Sequence, residues 1–217
     1  MFLGYYITEE YHPTRQEFLI FTVHTKVPPF IAKVKNAIQP FKADFVYDLY
    51  SPYTPADLTN HPAIIYLPYS VMSYRLTEVY NMAIPLFLPS PRFYLNYVEK
   101  GRRGMGHDRT STSEPYCHSD PALELKMRPE IHPVHGYSPN VDMHQDPESE
   151  MYWMQLADFY DWPYITYFDS YDHLKDLLAN SDLNRIHTNM KREVALRERN
   201  VSQKWCDIAT RISDTLK

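Results

Sequence analysis

The stretch from His61 to Ser90 leaves this chain few ways to fold. Ala63-Ile-Ile-Tyr-Leu67 is a short apolar run with adjacent β-branched residues, the composition of a strand buried on both faces, and Pro68 ends it. Ser70 and Ser73 then offer hydroxyls where a helix can start, and Leu76, Val79, Tyr80 and Ala83 follow helical spacing. Ile84-Pro-Leu-Phe-Leu88 is a second apolar run, stopped by Pro89-Ser90. A strand, a helix and a strand joined this closely fit a parallel crossover.

The polar groups of that unit fall where such a fold binds ligands. Open parallel sheets take ligands beyond the C-terminal ends of their strands, at the starts of the following helices. That edge would hold Tyr69, Ser70, Ser73 and Arg75, with Glu78 a little over one turn into the helix. Backbone N–H groups at a helix start favour anions. The same spacing also describes an ordinary capped helix with a solvent-facing Glu, and on spacing alone that is the simpler reading.

The rest of the chain repeats the alternation. Residues 1–16 read as a connecting segment, and 17–217 as one domain. Glu17 to His24 is a strand, and Phe30, Val34, Ala37, Ile38 and Phe41 mark one face of a short helix. Asp44 to Tyr50 is a second strand. Thr54-Pro-Ala-Asp57 is a helix start, with a Thr cap, Pro at the first position and Asp at the third. The order β-α-β-α-β-α-β predicts an α/β fold, a Rossmann-like parallel sheet flanked by helices. From about 96 to 149 the apolar period is lost, and three of the five glycines gather between Gly101 and Gly106, so a long irregular insertion is expected. Met151, Trp153, Met154, Leu156, Ala157 and Tyr160 then suit a buried helix, and Pro163 to Phe168 a fifth strand. Ser170 caps a helix through Leu178, and Ser181 starts a short turn. A long C-terminal helix, Asn189 to Leu216, places Val194, Val201, Trp205, Ile208 and Ile212 along one stripe. Such a helix packs back across the sheet or onto a neighbouring domain.

Composition narrows the function classes. Nineteen Tyr and eighteen Pro against five Gly give many half-polar rings and stiff turns, and few positions that take positive φ cheaply. A formal charge of −5 argues against a nucleic-acid partner, whose phosphates need a basic face. Lys191 to Arg199 alternates basic residues with Glu and reads as an exposed helix face. Cys117 and Cys206 make no disulfide framework. No apolar run approaches the roughly 18 residues of a membrane span, and the first residues lack the pattern of a signal peptide, so the sequence as given reads as soluble. Asn200-Val-Ser202 is a glycosylation sequon inside a charged helical stretch.

Other constellations carry less. His107, Asp108, His118, Asp120, His132, His135, Asp142, His144 and Asp146 are metal-capable, but Pro133 disfavours a regular helix presenting both His132 and His135. They read as solvated loop side chains. His24 after the first strand is a speculative base or anion contact, or else a surface residue. No nucleophile elbow, P-loop or dinucleotide fingerprint occurs. Trp153 and Trp162, flanking Asp158 and Asp161, would suit a sugar or nucleobase platform.

The run Leu67-Pro-Tyr-Ser-Val-Met-Ser73, continued by Leu76-Thr-Glu-Val-Tyr-Asn-Met-Ala-Ile-Pro-Leu-Phe-Leu-Pro-Ser90, resembles the donor-binding half of a GT-B glycosyltransferase. Tyr137-Ser-Pro-Asn140 and the segment Trp153 to Ser170 add to the likeness, which covers roughly residues 17 to 217. The resemblance implies a sugar transferred from a nucleotide-sugar to a hydroxyl of a glycan or glycoprotein acceptor, with no bound metal or cofactor. Glu78 would accept from the donor's ribose hydroxyls. Ser70, Ser73 and their backbone amides would face the diphosphate, with Arg75 as charge partner, and Tyr69 would belong to the same donor site. The chain has room for one GT-B half, so the resemblance implies a fragment or truncated member, whose full-length parent would be compatible with a Golgi anchor. Two other readings stay open: a catalytically silent α/β module engaging protein or glycan, and a metal-dependent hydrolase using the His/Asp loop.

Overall fold

A computed structural model of the chain describes residues 7–22, 28–68, 74–94 and 155–215. Five parallel strands form one sheet in the order β2-β1-β3-β4-β5. They are β1 Phe18–Phe21, β2 Ala43–Phe45, β3 Ile64–Tyr66, β4 Leu86–Pro89 and β5 Thr166–Phe168. The helices are α1 Pro28–Ala37, α2 Val46–Leu49, α3 Pro55–Thr59, α4 Tyr74–Asn81, α5 Tyr171–Asn180 and α6 Leu183–Thr215. The expected α/β architecture, with a long C-terminal helix, is the one the molecule adopts.

Every residue of β1, β3 and β4 is buried, which is why these strands carry unbroken apolar runs instead of alternating ones. Helices must therefore cover both faces. The crossover from β1 to β2 runs one way along the sheet and that from β3 to β4 the other, so right-handed connections put α1 and α4 on opposite sides. Accordingly α1 packs with α5, and α4 with α6. Between them lie Phe21, Tyr66, Tyr80, Phe87, Phe159 and Phe168, among the largest fully buried side chains.

The Tyr- and Pro-rich composition has a structural use. The hydroxyls of Tyr11, Tyr80 and Tyr160 donate to the carbonyls of Pro62, Pro163 and Pro89, at 2.7, 2.9 and 2.9 Å. Each ring fills apolar space while its tip satisfies a carbonyl in an irregular or terminal segment. Burial pushes these phenols up, Tyr11 to about 12.

Several boundaries differ from the sequence reading. The second strand stops at Phe45, not Tyr50, and Val46–Leu49 turns into a helix. β2 is an edge strand paired only with β1, and the register ends at Ile20 and Phe45. Beyond that point the buried Val46 and the ion pair of Asp48 with Lys35, at 3.7 Å, favour the turn. α1 ends at Ala37 although Phe41 still packs edge-on against Phe18. β5 begins at Thr166 because Tyr164 takes a φ of 68°. Leu156, placed in a buried helix from the sequence, is 50% exposed, and Asp158–Tyr160 is a 3-10 turn. The last helix starts at Leu183, with Asp182 accepting from the Arg185 N–H, so the short turn expected at Ser181 merges into it. His12, Thr14 and Arg15, in the segment read as connector, donate backbone N–H groups to the carbonyls of Thr59 and Asn60 at the end of α3.

Candidate functional site

The chain runs from β1 outward to β2, then crosses back over β1 to β3, which makes the β1/β3 boundary the switch point of the sheet. Crevices at such points, outside the strand C-termini, are where open α/β sheets bind ligands. Phe21 and Tyr66 are register partners there and stack at 5.2 Å, nearly parallel. Tyr53, from the loop between α2 and α3, packs edge-on against Phe21 at 5.4 Å, and Tyr47 packs edge-on against Tyr53 at 5.9 Å. Phe21 and Tyr66 are fully buried, and the half-buried Tyr53 and Tyr47 carry this ring cluster toward the surface.

Arg75, in the first turn of α4, lays its guanidinium over the Tyr53 ring, 5.3 Å from the centroid. One turn later Glu78 closes an ion pair with Arg75. The carboxylate side chain is 15% exposed and the guanidinium side 37%, so the acid lies deeper and the base nearer water. The Tyr53 hydroxyl is held above its ordinary pKa chiefly by burial, partly opposed by the positive charge of Arg75. The arrangement can meet an anion with Arg75 and a hydroxylated ligand with Glu78, across an aromatic surface.

Of the residues singled out from the sequence, Arg75 and Glu78 come together at this rim. Tyr69, Ser70, Ser73 and His24 lie outside the described residues, as do Tyr137 to Asn140, Trp153, Cys117 and all nine His and Asp residues of the insertion named above. Trp162 packs on Tyr80 at 4.9 Å, and so belongs to the α4–β5 contact. Among the described residues, no three His, Cys, Asp or Glu side chains gather in a metal-binding group. Among them, too, no helix is long and apolar enough to cross a membrane. Tyr53 and Tyr47 were missed in the sequence, where nothing in the spacing ties a turn after β2 to a helix after β3.

The opposite edge of the sheet is structural. His61 is fully buried ahead of β3, and its Nδ1–H donates to the Glu17 carbonyl at 2.8 Å. A carbonyl only accepts, so the other nitrogen, Nε2, accepts from the Tyr50 hydroxyl at 3.0 Å. Desolvation lowers the pKa of this imidazole and keeps it neutral.

Compared with known proteins, the chain matches no protein-family model, no curated sequence and no solved structure.

Proposed function

We propose that the switch-point rim binds the nucleoside diphosphate of a nucleotide-sugar, and that the chain serves as the donor-binding half of a GT-B-type glycosyltransferase. The observation that carries this reading is the Arg75–Glu78 pair standing over Tyr53 at the β1/β3 boundary. On binding, the ligand parts the pair: the diphosphate takes Arg75 and the amides at the start of α4, and a ribose diol donates to Glu78. In transfer, an acceptor hydroxyl attacks the anomeric carbon while those amides and Arg75 stabilise the departing diphosphate. Residues outside this chain complete the acceptor side. The sequence likeness from Leu67 to Ser90 supports the same assignment.

Thermal unfolding with adenosine, guanosine and uridine diphosphates, set against inorganic pyrophosphate, tests it. At a hundredfold excess over Kd the preferred nucleotide stabilises by about 2.7 kcal/mol. Pyrophosphate gives a smaller shift. Arg75→Ala loses both shifts, whereas Glu78→Ala loses the advantage of nucleotide over pyrophosphate. An unmoved melting temperature, or a nucleotide advantage retained in Glu78→Ala, overturns the proposal.

A further inference from the structure

The inward stripe of α6 runs on past the body that buries it. Leu183, Ile186, Met190 and Val194 pack against the core, and Arg197 bonds Glu193 at 2.6 Å while lying over Tyr80. At 3.6 residues per turn the same stripe continues through Val201, Trp205, Ile208 and Ile212. There the cover ends: Trp205 is 60% exposed, Ile208 44% and Ile212 56%. A large indole and two isoleucines aligned in water mark an interaction surface more readily than scattered exposed residues do.

The flanks state what would fit. Lys204 and Arg211, seven residues apart, border one side of the stripe and make no ion pair among the described residues. Ser202 and Ala209, also seven apart, border the other, small enough for another backbone to come close. A second copy would gain nothing in charge. Set antiparallel it would oppose basic flank to basic flank, and set parallel it would oppose Lys204 and Arg211 to Ser and Ala. An anionic membrane is disfavoured too, because helices that lie on membranes carry Lys and Arg across their polar face, and here the face behind the basic flank carries Asp207 and Asp214. We infer that the second half of α6 docks a partner helix whose apolar stripe is edged by carboxylates, packed so that those acids meet Lys204 and Arg211. This inference is independent of the nucleotide reading, since it draws on the α6 stripe alone and on none of Arg75, Glu78 and Tyr53.

The test uses the full chain and two synthetic helical peptides of about three heptads, identical in their leucine stripe. One carries Glu along a single edge and the other Lys. Fluorescence anisotropy at low salt should find the Glu peptide bound roughly tenfold more tightly. Lys204→Glu with Arg211→Glu should reverse the order, and Trp205→Ala with Ile212→Ala should abolish binding of both, with helicity by circular dichroism unchanged. Equal binding of the two peptides, or none, overturns the inference. So does self-association of the chain that Trp205→Ala dissolves, or capture by phosphatidylserine vesicles in place of the peptide.

Discussion

Ala83 and Tyr164 are non-glycine residues in the left-handed region, at φ of 54° and 68°. Ala83 closes α4, its N–H donating to the Tyr80 carbonyl at 2.9 Å, and its own carbonyl accepts from His187 Nδ1 at 2.9 Å. Glycine is the usual residue at such a helix end, because a Cβ there crowds the carbonyl. Ala83→Gly should therefore raise stability by about 0.5 kcal/mol, the relief of backbone strain outweighing the freer unfolded chain and the lost methyl contact. Chemical denaturation would check it; a loss of stability would mean that the buried methyl matters more than the backbone. His61 makes a second claim at this scale. Its folded-state pKa lies below the ordinary 6.5, so the unfolded chain takes up the proton first as pH falls. The stability held by the neutral imidazole is present above pH 6.5 and drains away below it. Melting temperature measured downward from about pH 8 should fall through this window, and His61→Gln should flatten that part of the curve. The scarcity of glycine made strained positions foreseeable, but which residues would bear them depended on where α4 and β5 had to end.

At the scale of elements, local chemistry was the most legible. Thr54 accepts from the Asp57 N–H while the Asp57 carboxylate accepts from the Thr54 N–H at 2.7 Å, the reciprocal cap expected from Thr54-Pro-Ala-Asp57. Ser170 caps α5 in one direction only, its side-chain oxygen accepting from the His173 N–H at 3.0 Å. Thr54→Ala should cost about 1 kcal/mol of unfolding free energy, and Thr54→Ser much less. A negligible cost for the alanine would show that Pro55 and tertiary packing hold α3 without its cap. Boundaries set by long-range partners were not legible. Phe45-Val-Tyr-Asp-Leu-Tyr50 has strand composition, yet only its first residue pairs with β1, since the edge position supplies no second neighbour. The stripe of α6 was visible from spacing, but where the body stops covering it was not.

For the whole molecule, the alternation of apolar runs and helical periods was enough to anticipate a parallel sheet covered on both sides. The strand order was not in the pattern, and it is the order that puts Arg75 and Glu78 at a switch point instead of beside an unremarkable turn. Tyr53 reaches that rim from a separate loop, a contact twenty-two positions from Arg75 along the chain that no local rule announces. The central claim is that this rim, and not the His61 edge, meets a nucleoside diphosphate. Its most direct test is a nuclear magnetic resonance titration following the Arg75 guanidinium N–H and the amides at the C-terminal ends of β1 and β3. Those signals should move together and saturate, while the amides of Glu17, His61 and Pro62's neighbour Ala63 stay in place. Movement confined to the His61 edge, or spread evenly over the sheet, would contradict the account.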